Sequence, residues 1–209
     1  MARVIGGSTI GDGCFLDPDV VIGYPPGDEL ALLGGDREAE ITGATVGDSC
    51  TLRSGTLYSR ARLGNSVRSG HGWLVREDST VGEGCLIGTG VTIDNDCRIG
   101  DHCSLQTGVY IPTGSRLGNR CFLGPNATLT NDRTPLRTDY QLEAVTLEND
   151  VTIGANATLM PGITVGEGAF IAGGAIVTRD VPAWKMAMGV PARIMELPEN
   201  LKKPNRLGD

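Results

Sequence analysis

The sequence predicts an all-β fold, a parallel β-helix of short stacked coils, on three observations. Aliphatic residues return every sixth position, as at Val75, Val81, Ile87, Ile93, Ile99, Leu105 and Ile111. The residue that follows is often glycine, and the chain holds 31 glycines in 209 residues. Aromatic residues make up 4% against 40% hydrophobic overall, so the core is built from small and aliphatic side chains. A period of six is neither the 3.6 of a helix nor the alternation of a hairpin sheet. It fits a very short strand followed by a corner, with three such units closing a triangular coil. Stacked coils pair as parallel strands about 4.8 Å apart, and no coil buries its own face alone.

In chain order, the period begins at Val4, Ile10, Leu16 and Ile22, and residues 24–40 then interrupt it. It resumes at Val46 and Leu52, and runs from Leu63 to Leu129 with only Ser69 out of character. Residues 130–146 form a second interruption, after which Leu147, Ile153, Leu159, Val165, Ile171 and Val177 carry the pattern on. Both interruptions read as loops thrown out of a rigid coil, where function tends to sit. With the aliphatic position called i, a glycine at i+1 suits a corner with unusual backbone angles, and the small or β-branched residue at i+4 is the second inward group. From Val181 the hexads stop, and the tail reads as a cap with a short helix over 192–197. The expected organisation is a β-helix domain over 1–182 and a cap and tail over 183–209.

Eighteen basic against 25 acidic residues give a net charge of −7, which argues against a nucleic-acid binder. No apolar run approaches the roughly 18 residues of a membrane span, and residues 1–7 lack a secretory apolar stretch, so a cytoplasmic chain is expected. Cys14, Cys50, Cys85, Cys97, Cys103 and Cys121 all fall at i+4, which marks them as buried fillers, and zinc-type spacings are missing. His71 and His102, the two histidines, fall at outward positions of the coil. His102 sits in a plain rung and reads as a surface residue; for His71 a general-base role and a merely exposed role stand side by side.

The hexad pattern over residues 4–195 resembles the hexapeptide-repeat acyltransferases, which implies a left-handed parallel β-helix. Zinc carbonic anhydrases of the same fold need three histidines, one more than this chain has. Within the repeat, SGHGWLVRED (69–78), LQTGVYIPT (105–113) and GPNATLTNDRTPLR (124–137) are similar to enzymes that acetylate nucleotide-linked 3-amino sugars. Residues 153–194 resemble the coils and cap that hold acyl-coenzyme A in that superfamily. In the maltose and galactoside O-acetyltransferases a segment like GPNATLTNDRTPL carries the catalytic histidine directly before its proline; here Thr134 stands there. A hydroxyl acceptor needs a positioned base, whereas a neutral amine is already a nucleophile, so the change favours an amine.

The resemblance therefore implies an acyl-CoA-dependent N-acyltransferase, with acetyl-CoA as donor, no metal, a nucleotide-linked amino sugar as acceptor and a homotrimer with shared grooves. An O-acetyltransferase, a longer-chain N-acyltransferase and a noncatalytic assembly module remain as alternatives. Glu77, Asn95, Thr113 and Asn131 all lie at i+2 in steps of 18 and form one outward column. His71, Asn131 and Asp132 are the catalytic candidates, and Glu77, Asn95, Gln106 and Tyr110 the acceptor-binding candidates. The donor is expected on Gly154, Ala155, Ala172 and Gly173 for the pantetheine arm, and on Lys185 and Arg193 for the phosphates.

Overall fold

The computed structural model describes residues 1–139 and 141–208. Three sheets, parallel except for the last strand of the third, form the walls of a triangular β-helix. The first holds nine strands, beginning with Arg3–Val4 and Val20–Tyr24 and ending with Ile176–Val177. The second holds eight, from Thr9–Ile10 to Thr164–Val165. The third holds ten, from Phe15–Leu16 through Phe170–Ile171 to Lys185–Met188 and Arg193–Glu196. Register follows the hexads: Leu63 pairs Val81, Val81 pairs Ile99, and Ile99 pairs Leu117.

Every aliphatic position from Leu63 to Leu129 is buried, as are Val67, Val91, Val109, Ala127 and the five cysteines Cys50, Cys85, Cys97, Cys103 and Cys121 at i+4. Ser69 is buried too, and its Oγ accepts the Arg53 N–H at 2.8 Å. Across the corner from it Trp73 fills an i+4 slot and donates its indole N–H to Arg53 O at 2.8 Å. A small residue at i thus accompanies a large one at i+4. At the amino-terminal end the inward Val4 is 45% exposed, because its coil has a neighbour on one side only, and Phe15, 59% exposed, stands at the outward position before Leu16.

Three features depart from the sequence reading. A rung at Gly55–Tyr58 has Leu57 inward five residues after Leu52, which the strict period skips. Gly55 permits it, since a Cβ there would lie 2.4 Å from the Trp73 ring. Apart from Gly23 (φ 84°), where the first excursion leaves the coil, the glycines at i+1 do not supply unusual dihedrals. Left-handed angles fall at i+3, as in Ser66 (φ 56°), Asp96 (56°), His102 (55°) and Asn126 (58°). The i+1 glycines are needed because the next coil passes too close: a Cβ on Gly64 would sit 2.7 Å from Glu83 N. Finally, 192–197 is no helix. Arg193–Glu196 pairs antiparallel with Lys185–Met188, and Ala187 lies opposite Ile194. A hairpin satisfies backbone groups of an open sheet edge, which a helix could not do by pairing.

The excursion after Val20–Tyr24 contains two short 3₁₀ turns, Leu30–Leu32 and Glu38–Glu40. Glu29 ties it to the coil through Arg60 Nη1 at 2.6 Å. The tail runs back along the corner between the second and third sheets. There Asn205 accepts from Thr152 Oγ1 at 3.0 Å and donates through Nδ2 to Arg120 O and Asp150 O at 2.9 and 3.1 Å.

Candidate functional site

The coil presents its polar side chains at corners, and the candidate residues divide between two of them. The corner between the first and second sheets carries Glu77, Asn95, Thr113 and Asn131 in successive coils. Thr113 Oγ1 donates to Asn95 Oδ1 at 2.8 Å, and Asn131 Nδ2 donates to Thr113 O at 3.3 Å. Asp132 opens the second loop by accepting the Thr134 N–H at 2.9 Å. The loop is anchored by Arg133, which bonds Glu143 at 2.9 Å and Pro161 O at 2.8 Å and draws the Glu143 carboxyl below its usual range.

Glu77 belongs to the outward column yet is only 8% exposed, because Arg76 folds over it with contacts of 2.7 and 3.2 Å. The Arg76 guanidinium also lies 3.9 Å from Asp94 and 5.9 Å from the Tyr58 ring centroid. Tyr58 in turn meets Tyr24 edge to face at 5.2 Å. Tyr110 donates to Asp94 Oδ2 at 2.7 Å; burial, and then that carboxylate, push the phenol up to about 12. It is a hydrogen-bond donor at neutral pH. The acceptor candidates Glu77, Asn95 and Tyr110 therefore share one charged and aromatic ridge with Asn131 and Asp132.

The corner between the third and first sheets carries the other group. His71 is exposed, with Nδ1 3.0 Å from Ser54 Oγ. When Nδ1 carries the proton and gives it to that hydroxyl, Nε2 presents a lone pair outward. Gln106 donates to Ser104 Oγ at 2.8 Å. Gly154, Ala155, Ala172 and Gly173 stack toward the carboxyl end of this corner, where a Cβ on Gly154 would lie 2.4 Å from Gly173 N. The strip is close-packed backbone with little side chain above it. Lys185 and Arg193 lie apart from it on the terminal hairpin, Lys185 paired with Glu196 and Arg193 exposed. Nearby, a cavity of about 340 Å³ under the tail is lined by Phe170, Leu197, Leu201, Lys203 and Arg206 among others.

Within one chain, then, His71 stands at a different corner from Asn131 and Asp132, and several coils away. His102 packs over Gly84, where a Cβ would lie 2.4 Å from its ring, and beneath Gly208. Among the described residues no three His, Cys, Asp or Glu side chains gather as a metal-ligand set, and no helix is long and apolar enough to cross a membrane. Sequence reasoning missed Ser54, Arg76 and Asp94, and it missed Arg98 and Arg116, whose guanidinium groups reach carbonyls of the first corner. The last two had a visible signal, since both sit directly before the aliphatic position and are 18 residues apart.

Comparison with known proteins agrees with this architecture. The family model for the bacterial transferase hexapeptide (six repeats) matches residues 78–113, 96–131 and 144–179. Over these coils, residues 78–131 and 144–179, the chain is similar to that family. A 2,3,4,5-tetrahydropyridine-2,6-dicarboxylate N-acetyltransferase of Staphylococcus aureus is 52% identical over 52 residues, which cover 25% of this chain and 22% of the relative's length. The UDP-N-acetylglucosamine acyltransferase from Campylobacter jejuni superposes with a TM-score of 0.74 at 21% identity, over 94% of this chain and 73% of that one. The polySia-specific acetyltransferase NeuO gives a TM-score of 0.54 at 18% identity, over 91% and 80%. At such identities the superpositions establish a shared fold alone.

Proposed function

We propose that this hexapeptide-repeat protein is an acyl-CoA-dependent N-acyltransferase that transfers an acetyl group to the amine of a nucleotide-linked amino sugar. The observation that carries the reading is the second loop. The position before Pro135 is Thr134, its hydroxyl 2.8 Å from that of Thr138, so no imidazole stands there to deprotonate a sugar hydroxyl. An amine needs no such base before attack. Its lone pair adds to the thioester carbonyl, the tetrahedral intermediate collapses to an amide, and coenzyme A leaves as the thiol. The ammonium proton released on the way passes to His71 Nε2 and from there to the departing sulfur, which leaves the imidazole neutral again, while Asn131 and Asp132 align the acceptor.

The Staphylococcus aureus relative, an N-acetyltransferase by name, supports amine acylation over its short matched stretch. Donor contacts are assigned to the small-residue strip from Gly154 to Gly173 and to Lys185 and Arg193. Because the two groups of candidates stand at different corners, a working site joins His71 of one subunit to Asn131 and Asp132 of another in a homotrimer. Mass spectrometry after incubation with acetyl-CoA and a panel of UDP-, dTDP- and GDP-linked amino sugars should show an N-acetyl product. Acetylation of the hydroxyl analogues in preference to the amino sugars would reject the amine assignment, and failure to bind coenzyme A would favour a noncatalytic assembly module.

A further inference from the structure

The second sheet has an outward side chain at the centre of every strand: Thr9, Thr45, Arg62, Thr80, Arg98, Arg116, Thr146 and Thr164. This face of an acidic protein thus carries three arginines and no carboxylate in that column. Arg98 and Arg116 are register neighbours, so their strands are about 4.8 Å apart. Both side chains lean to the first corner. Arg98 Nη1 donates to Asp78 O at 2.6 Å and Cys97 O at 3.0 Å; Arg116 Nη1 donates to Asp96 O, and to Gly114 O at 2.7 Å.

Those carbonyls hold the two guanidinium groups through one nitrogen each; both residues are exposed, and among the described residues their Nε and Nη2 make no hydrogen bond. The neighbouring carboxylates are engaged elsewhere. Asp78 takes Arg60 at 2.9 and 3.1 Å, Asp94 takes Tyr110, and Asp96 accepts from Asn95 Nδ2 at 3.1 Å. Among the described residues no carboxylate lies within 4.0 Å of either Arg98 or Arg116, whereas Arg120 and Arg133 each hold one and Arg60 and Arg76 two. Two like charges held side by side repel, and an anion spanning them relieves that repulsion.

We propose that Arg98 and Arg116 form a clamp for the diphosphate of the acceptor, at the corner where Asn95, Thr113 and Asn131 run on toward the second loop. The proposal rests on the acceptor class inferred above. It adds the residues that distinguish a diphosphate-linked sugar from a free one. The pinned nitrogens pre-organise both forks, so little side-chain freedom is lost on binding.

The test is calorimetric binding of UDP, dTDP and GDP to the full chain, alongside Arg98→Gln, Arg116→Gln, Arg116→Lys and Arg62→Gln. At least one nucleoside diphosphate should bind wild type, more weakly as salt rises. Loss of either clamp arginine should weaken binding by about tenfold or more, Arg116→Lys should restore only part of it, and Arg62→Gln, which removes the same charge from the same face, should change it little. Equal losses for all three Gln variants, or no binding by wild type, overturn the clamp. Kinetics then separates the two readings. With a clamp variant, KM for the nucleotide sugar should rise while KM for acetyl-CoA and turnover of the free amino sugar hold. Diphosphate binding without any acetyl transfer would retain the clamp and reject the N-acyltransferase.

Discussion

At the scale of single residues, the corners separate two demands that a glycine-rich repeat invites one to merge. Gly64 has the next coil's backbone where its Cβ would be, while Ser66, two residues on, holds a left-handed φ of 56° with its side chain in solvent. Gly64→Ala should therefore lower stability by about 1–3 kcal/mol through overpacking, and Ser66→Gly should be neutral or stabilising within about 1 kcal/mol. Denaturant melts of the two variants check both signs. Cys97 gives a pH-dependent counterpart. Its Sγ donates to Pro112 O at 3.2 Å, and burial pushes the thiol up to about 11 from an ordinary value of 9.0. The neutral thiol is the form the fold prefers, so its contribution is fully present below pH 9 and is lost as pH rises through 11. Cys97→Ser should flatten the alkaline limb of a stability profile, and native Cys97 should resist alkylation at pH 8. His71, with Nδ1 at Ser54 and Nε2 outward, should lower kcat by about 10- to 10³-fold on change to Ala, since an amine needs only part of the usual general-base help. A pH–rate profile identical to wild type would assign it to the surface.

Among the elements, the strands from Leu63 to Leu129 were legible because each hexad states its own inward positions, and repetition averages out exceptions such as Ser69. The rung at Leu57 was not, because its five-residue step is stabilised by Trp73 and Gly55, partners that only the folded coil brings together. The hairpin at Lys185–Met188 and Arg193–Glu196 was hidden for a related reason: an edge strand is chosen by the edge it covers, and residues 192–197 by themselves carry no alternation to announce it. The candidate column of polar positions was legible, yet the burial of Glu77 under Arg76 was not, since an ion pair between consecutive residues leaves no mark in a period of six. The tail had no pattern at all, and the structure gives it a latch. Asn205 binds Asp150 Oδ1 through its N–H at 3.0 Å and uses both ends of its side chain. Asn205→Ala should release residues 198–208, seen as faster amide exchange and earlier proteolysis there, and cost about 1–3 kcal/mol for the polar groups left behind. Unchanged exchange in that segment would show the tail to be held by Leu197 and its neighbours instead.

For the whole molecule, a straight coil with His71 at one corner and Asn131 at another has a consequence that stability measurements on single chains do not reach. If subunits share the site in a trimer, His71→Ala and Asn131→Ala damage it from opposite sides. Each variant alone should be strongly impaired, and each should remain a trimer by light scattering. Mixing them after reversible dissociation assorts subunits at random, and about a quarter of the sites then combine an intact His71 with an intact Asn131 from the neighbour. Activity should return toward about that fraction of wild type, and the amide product should appear with the same nucleotide amino sugar. A site contained in one subunit gives no recovery, because every chain in the mixture lacks one of the two side chains. The mixture thus reads out the geometry between corners directly, and absence of recovery from confirmed mixed trimers would rule out the shared groove.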